Sequence, residues 1–362
     1  MPTLEEHLDR PEITIEEHIA ACAQALASSL VGKVAVYLDV RFWVVIREVR
    51  DGVRTGAMDR KLVHHLEALV ERGRIFCPIA EPTFSELMKQ GNLGQRVRTA
   101  EIVDELSGGV SLLPDIVRMP AEAEHLLLRR LLHRQMPQPS PWTRLSFVLG
   151  NMYPAETAFS PDDENAIQKT VYDRLWDARL VDIVAALDSE AYSRPDERQA
   201  EADKLNAANA LHRGSMESFD SVLDQEFQGV AQTCVEFLPQ LSAILAPFEA
   251  SMPLEPWKMW ASALKAMLRD EEAARQVPTA HVHAAIHALF RWEYRDKMIT
   301  PNDLVDFRHA AAALSGCDAL LTEAGLCRTL KHRRLSLQKI HRRFVTSDLD
   351  EAITYLREIR HR

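Results

Sequence analysis

From about residue 115 to 298 the chain offers no convincing strand. Leucine, alanine and charged residues recur there at helical spacing, without the alternation or β-branched runs that a strand needs. A block of this kind can bury its apolar stripes only against other helices, so it is expected to be all-helical. Breakers divide it at MPQPSP (136–141), FSPDD (159–163), SRPDE (193–197) and MPLEP (252–256). It carries no fixed-period repeat and no low-complexity tract, which argues against a solenoid.

The two ends of the chain have another rhythm. Thr14-x-x-Glu17 has the spacing of a capping box and opens an amphipathic helix over residues 14–30. Lys33 to Asp39 reads as a buried strand closing on a carboxylate, and residues 58–72 as a helix stopped at Gly73. Residues 74–79 suit a second strand, 81–90 a helix with proline in its first turn, and 109–113 a third strand. After the helical block the alternation returns: a helix from about 302, a strand at 317–322, a helix from Gly325, a strand around 343–346 and a last helix from Leu349. Helix and strand in turn indicate α/β units with a parallel sheet. Neither end alone holds enough strands for a closed core. The expectation is therefore one discontinuous α/β domain, residues 1–114 with 299–362, interrupted by a helical insertion at 115–298.

The 362 residues, 46% hydrophobic with 13 glycines and 18 prolines, describe a globular chain that can bury a core. Its opening, MPTLEEHLDRPEITIEEH, is acidic where a secretory signal is basic, and no segment approaches the ~20 apolar residues of a membrane helix. The expectation is a cytoplasmic protein without a membrane partner. Five scattered cysteines, never in a CxxC pair, fit small core residues of a reducing compartment. A net charge of −10 gives no global attraction to nucleic acid, so such binding would need a local basic surface or bound cations.

Residues 299–326, ITPNDLVDFRHAAAALSGCDALLTEAGL, set Asp303, Asp306, Asp318 and Glu323 around very apolar runs. With Asp39 after the first strand and Glu86 on the helix after the second, they are the acids that strand ends of a parallel sheet would bring to one crevice. Carboxylates crowded together repel one another unless hard cations are bound, and oxygen-only ligation favours Mg²⁺ or Mn²⁺. Two such ions roughly 4 Å apart activate water and stabilise the leaving oxygen of a phosphodiester.

The segments VAVYLDVRFW (34–43), IFCPIAEPTFSELMKQ (75–90) and NDLVDFRHAAAALSGCDALLTEAGL (302–326), roughly a seventh of the chain, resemble the PIN-domain nucleases, which include the ribonuclease toxins of toxin–antitoxin pairs. In that family an aspartate ends the first strand, a glutamate followed by leucine lies on a helix, and an aspartate heads an alanine-rich helix. Asp39, Glu86 and Asp306 match these, with Asp303 one turn earlier. A Thr-x-Asp-like element closes the family's next strand; Thr322 fits, but Ala324 stands where an acid is frequent, leaving Glu323 or Asp318 as substitutes. The resemblance implies a three-layer α/β fold and a Mg²⁺- or Mn²⁺-dependent nuclease acting on RNA rather than DNA. It is silent on the helical insertion, which would select substrate, cover the site, or mediate oligomerisation or protein binding.

Each residue also has a plainer reading. Asp39 could cap the following helix, Glu86 could face solvent, and Asp303 has the look of a helix-start residue. His309 could touch substrate or simply pack. His283 and His287 share a helix face at the spacing of zinc ligands, but no partner glutamate accompanies them. Lys331-His-Arg333-Arg334 and Lys339-Ile-His-Arg342-Arg343 are the densest basic stretch and would guide a polyanion, or be a solvated face. Arg129, Arg130 and Arg134 are a lesser basic group. Arg41 and Trp43 would stack on a base, or Trp43 would pack in the core.

Overall fold

The computed structural model describes residues 2–145, 154, 157–187, 195–212, 214, 216–236, 238 and 256–361. The chain is mixed α/β and mostly helical. It packs as two compact units, one built from Met1–Leu113, Ser140–Ser193 and Leu349–Arg362, the other from Pro114–Pro139 and Arg194–Asp348. The long helical stretch contributes to both.

In the first unit, β1 (Val34–Leu38) and β2 (Ile75–Phe76) form a parallel ladder in which Val34 faces Ile75 and Ala35 faces Phe76. The four residues Ala35 to Leu38 are buried without alternation, as expected of a strand covered on both faces. The chain after β2 continues the pairing: Ile79 bridges to Ser111 in parallel, beside β3 (Val110–Leu112). Helices Val40–Arg50, Glu81–Met88 and Leu93–Ser107 pack on one another, and the C-terminal helix Leu349–His361 packs on Ala57–Glu71. The capping box forms as read: Glu17 N–H donates to Thr14 Oγ1 at 3.2 Å and Thr14 N–H to Glu17 Oε2 at 3.0 Å. The Ala57–Glu71 helix ends before Gly73, whose φ of +63° is the left-handed turn that favours glycine.

The stretch expected to be all-helical contains one strand. β4 (Trp142–Arg144) pairs antiparallel with β3. Three residues directly after a proline-rich breaker are too few for alternation to register, so only the partner strand defines it. The MPQPSP breaker is non-helical, and FSPDD places Ser160 as the N-cap of helix Pro161–Trp176. Residues 193–194 of SRPDE and 252–255 of MPLEP lie outside the described residues.

The second unit has a helical core in which Asp115–Leu131, Phe219–Val235, Pro256–Leu268 and Pro278–Glu293 bring together Leu126, Leu127, Phe227, Ala231, Leu264, Leu268, Ala280 and Ala284. The pairs Phe227 and Ala231, Leu264 and Leu268, and Ala280 and Ala284 are each four apart, the stripe spacing that leucine and alanine marked in the sequence. Helix Pro301–Gly316 packs on Pro278–Glu293 and leads into β5 (Ala319–Leu321). β5 pairs in parallel with β6 (Phe344–Thr346) across a crossover holding helices Ala324–Leu330 and Leu337–Ile340. Among the described residues no helix is long and apolar enough to cross a membrane.

A buried charged network crosses this unit. Arg118, 3% exposed, pairs with Asp115 and donates to the Ser315 hydroxyl, and His283 Nε2 lies 2.7 Å from Asp115 Oδ2. One turn along from Arg118, Glu122 accepts from the Thr279 backbone N–H at 3.0 Å and from the Thr279 hydroxyl at 2.8 Å. Burial pushes the Glu122 carboxyl up to about 7, with Arg118 and Thr279 offsetting only part of that push. A carboxyl raised in the folded state stabilises fully below its unfolded value and loses that contribution as pH rises through about 7. Glutamine can keep both contacts with Thr279, its oxygen accepting from the N–H and its amide donating to the hydroxyl. Glu122→Gln is therefore expected to be more stable than wild type above neutrality, by about 3 kcal/mol at most, and to lose that advantage below about pH 5. Parallel melting curves for the two proteins from about pH 5 to pH 8 would reject the assignment.

Candidate metal centre

Parallel strands deliver their following loops to the same end of a sheet. β1 runs directly into Asp39, and β2 leads through Cys77–Ala80 into helix Glu81–Met88, which carries Glu86. The carboxylate oxygens of Asp39 and Glu86 consequently lie within 4.8 Å of each other. Asp39 is buried, at 8% exposure, and Glu86 half-buried. Asp39 occupies the N-cap position of helix Val40–Arg50, with φ −62° and ψ 154°, yet its side chain makes no cap hydrogen bond. The capping role that would account for an aspartate at this turn is thus not the one its side chain performs. The surrounding frame is stiff: Tyr37 Oη and Thr83 Oγ1 are 2.9 Å apart, tying β1 to the Glu86 helix, and Trp43 Nε1 donates to the Leu38 carbonyl at 3.1 Å. Trp43 is 1% exposed, so it packs in the core; Arg41 beside it is exposed. Two oxygen donors on rigid elements suit a hard divalent cation.

The later acids occupy the second unit and differ in their surroundings. Asp303 completes a capping box on helix Pro301–Gly316: the Thr300 N–H donates to Asp303 Oδ2 at 2.9 Å, the Thr300 hydroxyl at 2.6 Å, and Lys297 Nζ sits 3.0 Å from Oδ1. Burial raises this carboxyl, but the Thr300 donors and Lys297 outweigh it, holding Asp303 below the usual range. Asp306, one turn on, is exposed and lines a groove of about 460 Å³ with Lys297, Phe307, Arg328 and His332. His309, three residues further on, is buried, at 1% exposure.

Asp318 precedes β5, whereas Thr322 and Glu323 follow it. Asp318 and Glu323 stand five residue steps apart along extended chain, about 16 Å, so the two acids cannot share one ion. Asp318 faces Arg343 instead, with Nη1 at 3.5 Å from Oδ1. Thr322 is buried and its N–H donates to the Thr346 carbonyl at 3.0 Å, extending the β5–β6 ladder. Glu323, exposed, is the N-cap residue of helix Ala324–Leu330 and makes no side-chain cap bond there.

The chain matches no protein-family model, no curated protein and no solved structure.

The basic stretch divides into two kinds of cation. Arg334 pairs with Glu293 at 3.0 Å and lies over the Phe219 ring, and Arg343 binds Asp318 and the Leu314 carbonyl. Arg333 and Arg342 are exposed. The His283/His287 pair does not converge on a common point: His283 addresses Asp115, while His287 sits edge-on to Phe307 at 4.9 Å, and burial pushes it down to about 3. His281 Nδ1 faces His341 Nε2 at 3.1 Å.

One convergent group escaped the sequence reading. His7, His18 and Asp173 offer ligand atoms that all lie within 4.8 Å of one another. No local spacing announces it, because Asp173 is 155 residues beyond His18.

Proposed function

We propose that the chain is a metal-dependent nuclease with a PIN-like arrangement of acids, hydrolysing phosphodiester bonds in RNA more readily than in DNA. The observation that supports it best is the Asp39–Glu86 pair. It comprises a buried aspartate at the end of a parallel strand, which makes no side-chain cap bond to the following helix, with a second carboxylate within 4.8 Å. Two such groups repel when charged, and a Mg²⁺ or Mn²⁺ ion held between them offsets that repulsion. The ion, when bound, would supply Lewis-acid activation of water and of the phosphodiester. The chain's own part is to hold oxygen donors rigidly. Asp306 is the further acid that the PIN-like pattern designates, and Arg333 and Arg342 are the exposed cations suited to a phosphate backbone.

A second reading, a degenerate PIN-like scaffold that binds protein or nucleic acid without cutting it, is favoured by the engagement of Asp303 with Thr300 and Lys297 and of Asp318 with Arg343. Labelled single-stranded RNA and DNA incubated with the purified protein in Mn²⁺, Mg²⁺ or EDTA separates the two. Cutting that requires the metal and prefers RNA supports the nuclease; no cutting in any metal supports the scaffold.

A further inference from the structure

The N-terminal segment of the first unit lies along one stripe of helix Pro161–Trp176. Asn165 Nδ2 donates to the Ile13 carbonyl at 2.9 Å, and Lys169 Nζ donates to the carbonyls of Arg10 and Ile13, both at 2.9 Å. Asp173 is the next residue of that stripe, four positions on. Its two oxygens face two different imidazoles: Oδ2 lies 3.0 Å from His7 Nε2 and Oδ1 lies 2.6 Å from His18 Nε2. His7 and Asp173 are both 6% exposed, and His18 is half-buried. One turn after His18 on helix Ile15–Leu30, Cys22 places its Sγ 3.9 Å from the same Nε2 atom.

We propose that His7, His18, Asp173 and Cys22 form a tetrahedral site for one divalent cation of the zinc class. Zinc takes imidazole nitrogen, carboxylate oxygen and thiolate at about 2.0–2.3 Å, which sets neighbouring N and O ligands about 3.3 Å apart and an N–S pair about 3.6 Å apart. The ligand atoms of His7, His18 and Asp173 lie within 4.8 Å of one another, with N–O separations of 3.0 and 2.6 Å that an ion would widen; Cys22 Sγ, 3.9 Å from His18 Nε2, stands just outside that group and would turn in as the fourth ligand. Two nitrogens, one oxygen and one sulfur select zinc over Mg²⁺ or Mn²⁺, which prefer oxygen alone. A cation among them would neutralise the Asp173 carboxylate and favour the Cys22 thiolate that binds it.

The site has a structural purpose. Helix Leu4–Leu8 is five residues long, too short to persist by its own hydrogen bonds. An ion bridging His7 to two longer helices would pin it. This site is independent of the Asp39–Glu86 pair in residues and in ligand chemistry.

The test is Co²⁺ titration of EDTA-treated full-length protein, followed by competition with Zn²⁺. One equivalent is expected to bind with the intense visible absorption of tetrahedral cobalt and a thiolate charge-transfer band in the near ultraviolet; cobalt on oxygen ligands alone would be six-coordinate and faint. His18→Ala and Asp173→Asn should lose the visible band, and Cys22→Ser should lose the near-ultraviolet band. Because a variant could lose the band by failing to fold, wild type supplies a second reading. Its melting temperature should fall by several degrees on EDTA treatment and return with one equivalent of Zn²⁺, the circular dichroism at low temperature being unchanged. Absence of tetrahedral cobalt in the folded wild type, or uptake unaltered by His18→Ala, would overturn the proposal and leave His7, Asp173 and His18 a hydrogen-bonded clamp.

Discussion

Asp39→Asn is expected to lower metal-dependent RNA cleavage on the order of 10³-fold while leaving stability within about 0.5 kcal/mol of wild type. The two halves of that expectation have separate causes. Asparagine preserves the shape of the side chain but removes the charge that would hold a cation. It also serves at an N-cap as well as aspartate does, and the Asp39 side chain makes no cap bond to be lost. Glu86→Gln should behave alike, since its carboxylate is the other half of the pair. Asp303→Ala supplies the contrast: it dismantles a capping box and an ion pair with Lys297, so about 1 kcal/mol of stability should go while cleavage persists. Asp306→Asn tests whether the exposed acid belongs to the site, by a loss as large as that of Asp39→Asn. The readouts are cleavage rate at saturating Mn²⁺ and the midpoint of urea unfolding for each variant. Full activity in both Asp39→Asn and Glu86→Gln would remove the proposed centre.

The elements that carry Asp39 and Glu86 were legible because their signals are local. The β-branched run before Asp39, the proline in the first turn of helix Glu81–Met88 and the glycine after Glu71 each act within a few residues, and each marks an observed boundary. The same locality explains Asp303. Thr300-x-x-Asp303 is a helix-start spacing first, and in the structure that contact occupies the carboxylate that a metal would need. Asp318 shows what locality leaves out. Reading the strand as 317–322 puts Asp318 inside it, whereas β5 is only Ala319–Leu321, so a difference of two residues moves the acid to the far strand end and to Arg343. β4 and the His7–His18–Asp173 group were invisible for a different reason. Both exist only through partners dozens to more than a hundred residues away, and no periodicity encodes such a meeting.

Arg118→Met is expected to destabilise the second unit by about 3–5 kcal/mol, the usual cost of removing one member of a buried charged network. Methionine fills much of the volume, so the loss would come from the charges left behind rather than from a cavity. Asp115 is the first of these. Burial raises its carboxyl, but Arg118 and then His283 outweigh that and hold it well below the usual range; without Arg118 only the imidazole remains. Glu122 is the second, since Arg118 is the leading influence opposing its upward shift. Without that cation its proton should be held to a still higher pH, and the pH window in which the folded state loses stability should move upward with it. Adding Glu122→Gln to Arg118→Met should therefore stabilise more above neutrality than Glu122→Gln stabilises the wild type, a non-additivity expected of neighbours in one network. Urea unfolding at about pH 8, with the slope compared across the four proteins of the cycle, reads this directly. A cost below about 1 kcal/mol for Arg118→Met, or strict additivity in the double variant, would mean that the three charges are solvated rather than mutually dependent.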